Sequence, residues 1–446
     1  MSQFYDIIIV GANVAGSSMG FNLAKQGLQV AMIDIYESSK IGSTSCGDGL
    51  DEHEFKRLGL AVPTGKFVYG DVIRGEVIAP NGHARLAAQG KIKAVHRYHF
   101  CQYLKDRTVD AGGQLIAPAR AIAPVMKDDF VVGLKYRHEG EGTKTLKCRI
   151  LVDASGLRAV IRNQLPADWW VSEGIDKRDI AVCYKESRKF DKPLPNKFVH
   201  GYFSSAIAPG GFYWIATRSR TLVNVGLGIN MHYQPLSPKQ QLYNKILPKH
   251  KFLNDSRVVW KGGGLVPRRW PLDCMVGNGF VAAGDAAVMV NPMSGGGIGP
   301  SVFAGEIGGK VITAALEAGE YSIEQLWKYN YDYNTNYGPV QAGNYILRST
   351  IESLTDAQIN ALLGAELFSE KEIIKVIENG KLELGFSNKL KKLGKLAKHP
   401  KLLLKLRALY KNMEAARQLY MGYPGDIKEF KPWRNKVHRF FEKIKF

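Results

Sequence analysis

The sequence predicts a chain that is α/β at its core and α+β overall: a Rossmann-like dinucleotide-binding domain, a substrate domain built on an antiparallel sheet, and a helical, basic C-terminal region. Three observations lead there. The first forty residues read as strand, glycine turn, helix and strand; the stretch 180–260 alternates apolar with polar residues; and the last sixty residues combine helical apolar spacing with a large excess of positive charge. The matching division is 1–165 plus 261–330 for a discontinuous nucleotide-binding domain, 166–260 with strands from 62–95 for the antiparallel sheet, and 331–446 for the helical region. A chain of 446 residues can bury a substantial core and form two or three domains.

In the opening unit, Asp6 to Val10 is a short apolar strand. Gly11, Ala12, Asn13, Ala15 and Gly16 form the turn and the start of a helix that runs to about Lys25, and Leu28 to Asp34 is the second strand. Such a turn lets backbone N–H groups approach a pyrophosphate at the helix N-terminus, while an acidic residue closing the second strand, here Asp34, binds an adenosine ribose. Asn13 stands where the GxGxxG fingerprint has its second glycine, so its side chain is expected to crowd the phosphates. Arg97 lies at the start of a predicted helix and can reach a diphosphate. Residues 150–156 form another buried strand that ends in a small-residue turn from Asp153 to Gly156, placed for the adenine half of a dinucleotide.

The most informative stretch is 284–299. An apolar run ending at Ala283 delivers Gly284 and Asp285 to a strand end, and a loop containing Asn291, Pro292, Gly295, Gly296 and Gly297 leads into a helix near Ile298. That arrangement suits a flavin. Asp285 is placed to accept from ribitol hydroxyls, and N–H groups near Gly296, Gly297 and Ile298 face the pyrimidine edge, which carries negative charge when the ring is reduced.

From about 180 to 260 the alternation predicts an antiparallel sheet whose concave side can hold a lipid, with Phe212, Tyr213 and Trp214 offering flat apolar surface. The charge is +20, from 61 Lys plus Arg against 41 Asp plus Glu, and residues 387–446 carry 17 basic and 4 acidic side chains. Within them Leu402, Leu406, Leu409, Met413, Ala416 and Tyr420 fall on one helix face among lysines and arginines. Either this stripe binds an anionic membrane surface or it covers the protein's own core. Nucleic acid is not expected as a partner, since no nucleic-acid motif accompanies the charge. The five cysteines, at 46, 101, 148, 183 and 274, show no metal-ligand spacing, so no metal is expected. No apolar run reaches eighteen residues, and the first strand follows Met1 too closely for a signal peptide; the expected location is cytoplasmic, peripheral on the inner face of the membrane.

Taken together, residues 11–16 with Asp34, 45–48, Arg97, 153–156, 209–214, 223–228 and 284–299 resemble the geranylgeranyl reductases, within the flavoproteins built like para-hydroxybenzoate hydroxylase. The resemblance spans most of residues 1–340. It implies FAD as cofactor and reduction of isoprenoid chains, in archaeal members those of membrane lipids. It implies flavin contacts at Ala15, Asp34, Cys46, Gly47, Arg97, Asp285, Gly297 and Ile298, and the full candidate cofactor set adds Gly11, Ala12, Asn13, Gly16, Gly49, Ala121, Asp153, Gly156, Gly284, Pro292 and Gly296. The family's tyrosine-x-tryptophan-x-phenylalanine-proline pattern becomes Phe212, Trp214, Ala216 and Thr217 at its fixed positions, a departure that bears on substrate identity.

Saturating an isolated trisubstituted alkene requires a hydride on one carbon and a proton on the other. The resemblance puts the loop of Cys46 beside the isoalloxazine, which makes Cys46 the first candidate proton donor, with Asp48, Tyr213 and a bound water in reserve. Electrons must come from an external donor: a nicotinamide, a ferredoxin or another reductant. Two alternatives stand beside a prenyl-lipid reductase: a flavin monooxygenase acting on an aromatic substrate, and a non-catalytic prenyl-lipid carrier. The reductase reading itself extends to a prenylated quinone or pigment side chain.

Overall fold

The computed structural model describes residues 4–43, 49–57, 59–69, 75–88, 92–138, 140–382 and 394–444. Cys46, Gly47 and Asp48 therefore lie outside the described residues. Strand β1 (Phe4–Val10) is followed by helix α1 (Val14–Ala24) and strand β2 (Val30–Ile33), close to the expected bounds. The strand Val30–Ile33 and residues 7–9 of β1 are buried throughout, as parallel strands covered on both faces must be.

β1 lies between β2 and β3 (Thr143–Asp153), both parallel to it, and β8 (Phe280–Ala282) adds parallel to β3. The register puts Ile33 beside Val10, Val10 beside Asp153 and Asp153 beside Ala282. Four positions spread over some 270 residues of chain thus form one row at the carboxyl ends of the parallel strands. Open α/β sheets bind their ligands at that edge, where chain leaves the sheet and helix N-termini point inward. The remaining strands of this sheet are Gln114–Ile116 next to β2, Val276–Gly277 next to β8, and Phe130–His138 with Ala119–Lys127 antiparallel beyond β3.

The second sheet is ordered β7 (Ser256–Pro267), β4 (Ile180–Phe190), β6 (Leu222–Asn230), β5 (Phe212–Ser219), then Val199–Tyr202, Gly75–Ile78 and Arg85–Ala88. Its neighbours are antiparallel except Val199–Tyr202 against Gly75–Ile78. Side chains alternate across it. Tyr213, Ile215, Val223, Val225, Leu227 and Ile229 face one way into a core closed by Leu242, Ile246, Leu247 and Leu253. Phe212 and Trp214 face the other way. There the register sets Phe212, Gly228, Cys183 and Gly264 in one row and Trp214, Gly226, Lys185 and Gly262 in the next. Glycines at alternate places leave this face shallow beside the two rings.

The structure also includes helices α3 (Ile298–Glu317), α4 (Ile323–Asn336), α5 (Gly338–Glu352), α6 (Asp356–Gly364), α7 (Pro400–Met421) and α8 (Phe430–Lys443). α3 packs directly on α1 because glycine removes the side chains between them: a Cβ on Gly305 would lie 2.3 Å from Ser18 Oγ and 2.8 Å from Met19 N. In α7 the stripe of Leu402, Leu409, Met413, Ala416 and Tyr420 is buried against α5 and its surroundings. That corrects one of the two sequence expectations: the stripe covers the protein's own core and is not a membrane-binding face. Sequence periodicity reports that a face is apolar, and only packing decides what covers it.

Candidate functional site

The row of strand ends carries the site. At the end of β1, Gly11 has φ of +99°, and a Cβ on Gly16 would sit 1.8 Å from the Gly11 carbonyl oxygen, so both glycines are required by the close turn itself. Asn13 is the N-cap of α1. Its Oδ1 accepts from the Val14 N–H at 2.9 Å and from the Cys101 thiol at 2.9 Å. The expected crowding of the phosphate position is thereby relieved, because the side chain is drawn onto α1 and α2 (Arg97–Asp110) and serves as a cap.

At the end of β2, Asp34 is buried; its carboxylate accepts from Ala12 N–H at 2.8 Å and Tyr36 N–H at 2.9 Å. Burial raises its pKa against these two hydrogen bonds. The carboxylate ties the glycine turn to the second strand and keeps lone pairs for a further donor. Ala121 sits on the strand that begins where Ala119 N–H donates to the Asp34 carbonyl at 2.7 Å.

At the end of β3 the finding differs from expectation. Asp153 is fully buried, one oxygen accepting from Ser155 N–H and Oγ and the other from Ile161 and Arg162 N–H. Four donors from its own loop use the carboxylate up, so Asp153 shapes the turn at Gly156, where φ is +78°, and is not a ligand of a nucleotide.

At the end of β8, Gly284 has φ of +64° and a Cβ there would lie 2.8 Å from that of Ala15. Asp285 follows, half-buried, its carboxyl pushed up to about 6 by burial against the opposing charge of Arg97 at the start of α2. A Cβ on Gly297 would be 3.6 Å from Asp285 Oδ1. The loop between them is self-supporting. Asn291 Oδ1 accepts from Met293 N–H at 3.0 Å and Ser294 N–H at 3.3 Å, and Asn291 N–H donates to the Gly296 carbonyl at 2.8 Å, with Pro292 buried in the turn. Gly297 then caps α3 without any side-chain hydrogen bond, leaving the first-turn N–H groups of α3 beside Asp285. The structure thus gathers Ala15, Gly284, Asp285, Arg97, Gly297 and Ile298, and Gly49 starts a short strand, Gly49–Asp51, that touches α3.

Phe212 and Met293 line one cavity together with Phe203, Arg268, Arg348 and Glu352, so the sheet and the glycine-rich loop share a pocket. Trp214 is next to Phe212, ring centroids 5.8 Å apart, with its indole N–H on Asn224 Oδ1. Tyr213 does not join them. It points to the opposite face, stacks on Tyr202 at 4.4 Å, and places its hydroxyl 3.3 Å from His250 Nε2. Burial raises the Tyr213 pKa and lowers that of His250 to about 4. As a catalytic or substrate-contacting residue Tyr213 is ruled out by strand alternation, since two adjacent residues cannot face one pocket. Sequence reading missed Arg268 and Arg348. Arg268 donates to the Gly210 carbonyl at 2.5 Å and pairs with Glu352; Arg348 pairs with Asp179 at 2.9 Å. Neither carries an advance signal, since Arg268 adjoins Arg269 and Arg348 lies on a helix of mixed polarity.

Residues 179–266 match the geranylgeranyl reductase catalytic domain. Over 97% of this chain and 96% of the relative, the sequence is 28% identical to a digeranylgeranylglycerophospholipid reductase of Sulfolobus acidocaldarius. A reductase of the same description from Methanoculleus marisnigri is 28% identical over 92% of this chain and 99% of its own. Among solved structures, a geranylgeranyl bacteriochlorophyll reductase-like protein of Thermoplasma acidophilum superposes with a TM-score of 0.74 at 21% identity, covering 91% of this chain and 99% of the other. A flavin-dependent brominase superposes with a TM-score of 0.63 at 16% identity, covering 99% and 100%. The fold is that of flavoproteins with a Rossmann-like core.

Proposed function

We infer that this chain, a member of the geranylgeranyl reductase family, is a FAD-dependent reductase that saturates isolated C=C bonds in the isoprenoid chains of archaeal membrane glycerophospholipids. The observation that carries this reading is the meeting of sheet and loop: Phe212 of the sheet and Met293 of the glycine-rich loop line one small cavity, which supports an alkene lying along the sheet next to the cofactor site.

The residues present fit FAD. Gly11 and Gly16 permit the close turn that brings the α1 N-terminus to the strand ends, where it can meet a diphosphate, and Asp34 has acceptor capacity left for a ribose hydroxyl. Arg97 supplies positive charge near Asp285, and the uncapped α3 N-terminus presents N–H groups to an anionic ring edge. When bound and reduced, the flavin supplies the hydride. The protein must supply the proton, and with Tyr213 facing the opposite core, Cys46 Sγ is the proposed donor, with Asp48 and a bound water as the alternatives. Electrons come from an external reductant, a nicotinamide, a ferredoxin or another carrier. A surface that works on membrane lipid is expected to meet an anionic bilayer.

The test is anaerobic: flavin-loaded protein is reduced with dithionite and given a geranylgeranyl glycerophospholipid, and the lipid is followed by mass spectrometry. Stepwise gain of hydrogen pairs with flavin reoxidation is the expected result. Unchanged lipid beside fully reduced flavin would overturn the reading.

A further inference from the structure

Among the described residues, the most exposed large apolar side chain is Leu404, 67% exposed, in the first half of α7. It lies opposite the buried stripe. Because residues three, four and seven apart share a helix face, Leu404 is flanked by Lys401, Arg407 and Lys411, all exposed. From Gly394 to Met413 the chain has six lysines and arginines and no acidic residue. The opposite face of α7 supplies the core contact, so Leu404 projects from the helix amid fixed positive charge, the pairing of one apolar side chain with cations that an anionic bilayer surface favours.

The same end of α7 leads to the pocket. Leu402 belongs to an apolar cluster with Leu354, Ile359 and Leu367, and Phe203 packs against that cluster while also lining the pocket, 5.7 Å from the ring of Phe212. The cluster is fastened to the sheet, because Asp356 at the start of α6 accepts from Ser204 Oγ at 3.0 Å and from Ser205 Oγ at 2.7 Å. Lys405 Nζ, on the flank of α7, donates to the Ser353 carbonyl at 2.6 Å, so α7 is held to the end of α5 that borders the pocket. Apolar contact therefore runs from Leu402, on the buried side of the helix turn that carries Leu404, through the cluster to Phe203 and Phe212.

We propose that the outer face of α7 docks on an anionic lipid bilayer, Leu404 entering the acyl boundary while Lys401, Arg407 and Lys411 meet lipid phosphates, and that a prenyl chain enters the pocket along the cluster behind it. The complementarity is one of charge and depth: three cations around one projecting leucine fit an anionic headgroup layer over hydrocarbon. The proposal rests on the prenyl-lipid reading for the identity of the entering chain, whereas the docking surface itself does not.

The test is flotation of the full flavin-loaded chain with vesicles of phosphatidylcholine containing 30% phosphatidylglycerol, beside L404E and the triple reversal K401E/R407E/K411E. These positions are exposed and fold is retained, which circular dichroism and flavin content verify. Wild type is expected to float, less so in high salt, with each lost cation lowering partition about fivefold and L404E abolishing it. With prenyl lipid embedded in the same vesicles, L404E is expected to lose turnover, while turnover of detergent-dispersed lipid stays at the wild-type rate. Flotation of L404E equal to wild type, with or without a raised KM for an acidic electron-donor protein, overturns the proposal. If flotation depends on Leu404 but no lipid is reduced in either format, the surface stands and the reductase reading falls.

Discussion

Asp285 is the residue on which structure and chemistry press hardest. Burial lifts its carboxyl to about 6, well above the usual carboxylate range, so the folded protein holds a proton there more tightly than the unfolded chain does. A raised carboxyl pKa contributes stability below the unfolded value near 4, and that stability is lost as pH rises through 6. In flavin-free protein, Asp285→Asn should therefore raise stability at pH 8 by about 2 kcal/mol after allowance for solvent. The gain should vanish near pH 4, while flavin retention drops at every pH. Thermal unfolding at the two pH values with flavin-to-protein ratios checks this; an unchanged melting point at pH 8 would contradict it. Asp34 and Asp285 were both legible in the sequence because each acidic residue follows an apolar run into a strand end. Tyr213 misled for the same kind of reason, since adjacency to Phe212 and Trp214 in sequence means opposite faces in a strand. Asp153 was placed correctly at a strand end, but which donors reach its carboxylate depends on the fold of the loop to Arg162.

At the scale of elements, the contact between α1 and α3 decides whether the two helix N-termini converge. Gly305 permits it, because any Cβ there meets Ser18 and the Met19 backbone nitrogen. Gly305→Ala should cost about 2 kcal/mol through overpacking, as the obstructing atoms include backbone that cannot rotate away. It should also lower flavin occupancy by shifting the N-terminus of α3. Urea titration and flavin absorbance report the two effects separately, and loss of stability with full flavin retention would show that the contact does not position the site. The helix starts themselves were readable from glycine and apolar patterning. The stripe on α7 was readable as a face too, but its partner α5 is some fifty residues distant, and periodicity contains no information about that distance.

Across the whole molecule, the C-terminal helix α8 is joined to the core by a cluster of charges. His438 Nε2 is 2.6 Å from Asp273 Oδ2, Arg434 lies within 3.4 Å of both Asp273 and Glu173, and Arg269 pairs with Glu173 at 2.9 Å, with the Tyr420 hydroxyl on Asp273. The hydrogen bond to Asp273 raises the His438 pKa above its ordinary 6.5. A raised histidine pKa gives stability that is full below 6.5 and is lost as pH climbs through the folded value. His438→Gln should accordingly cost on the order of 1 kcal/mol at pH 6 and little at pH 9, read from denaturant unfolding at both values. An equal cost at both would show that packing, not charge, joins α8 to the core. By itself the sequence determined the strand, turn and helix units, the acidic and glycine positions at the strand ends, and the antiparallel sheet, because these depend on local backbone geometry and period. The tertiary structure alone decided which four strand ends share a row, which face of β5 meets Met293, and which face of α7 remains in solvent, because each is set by contacts between residues tens to hundreds of positions apart.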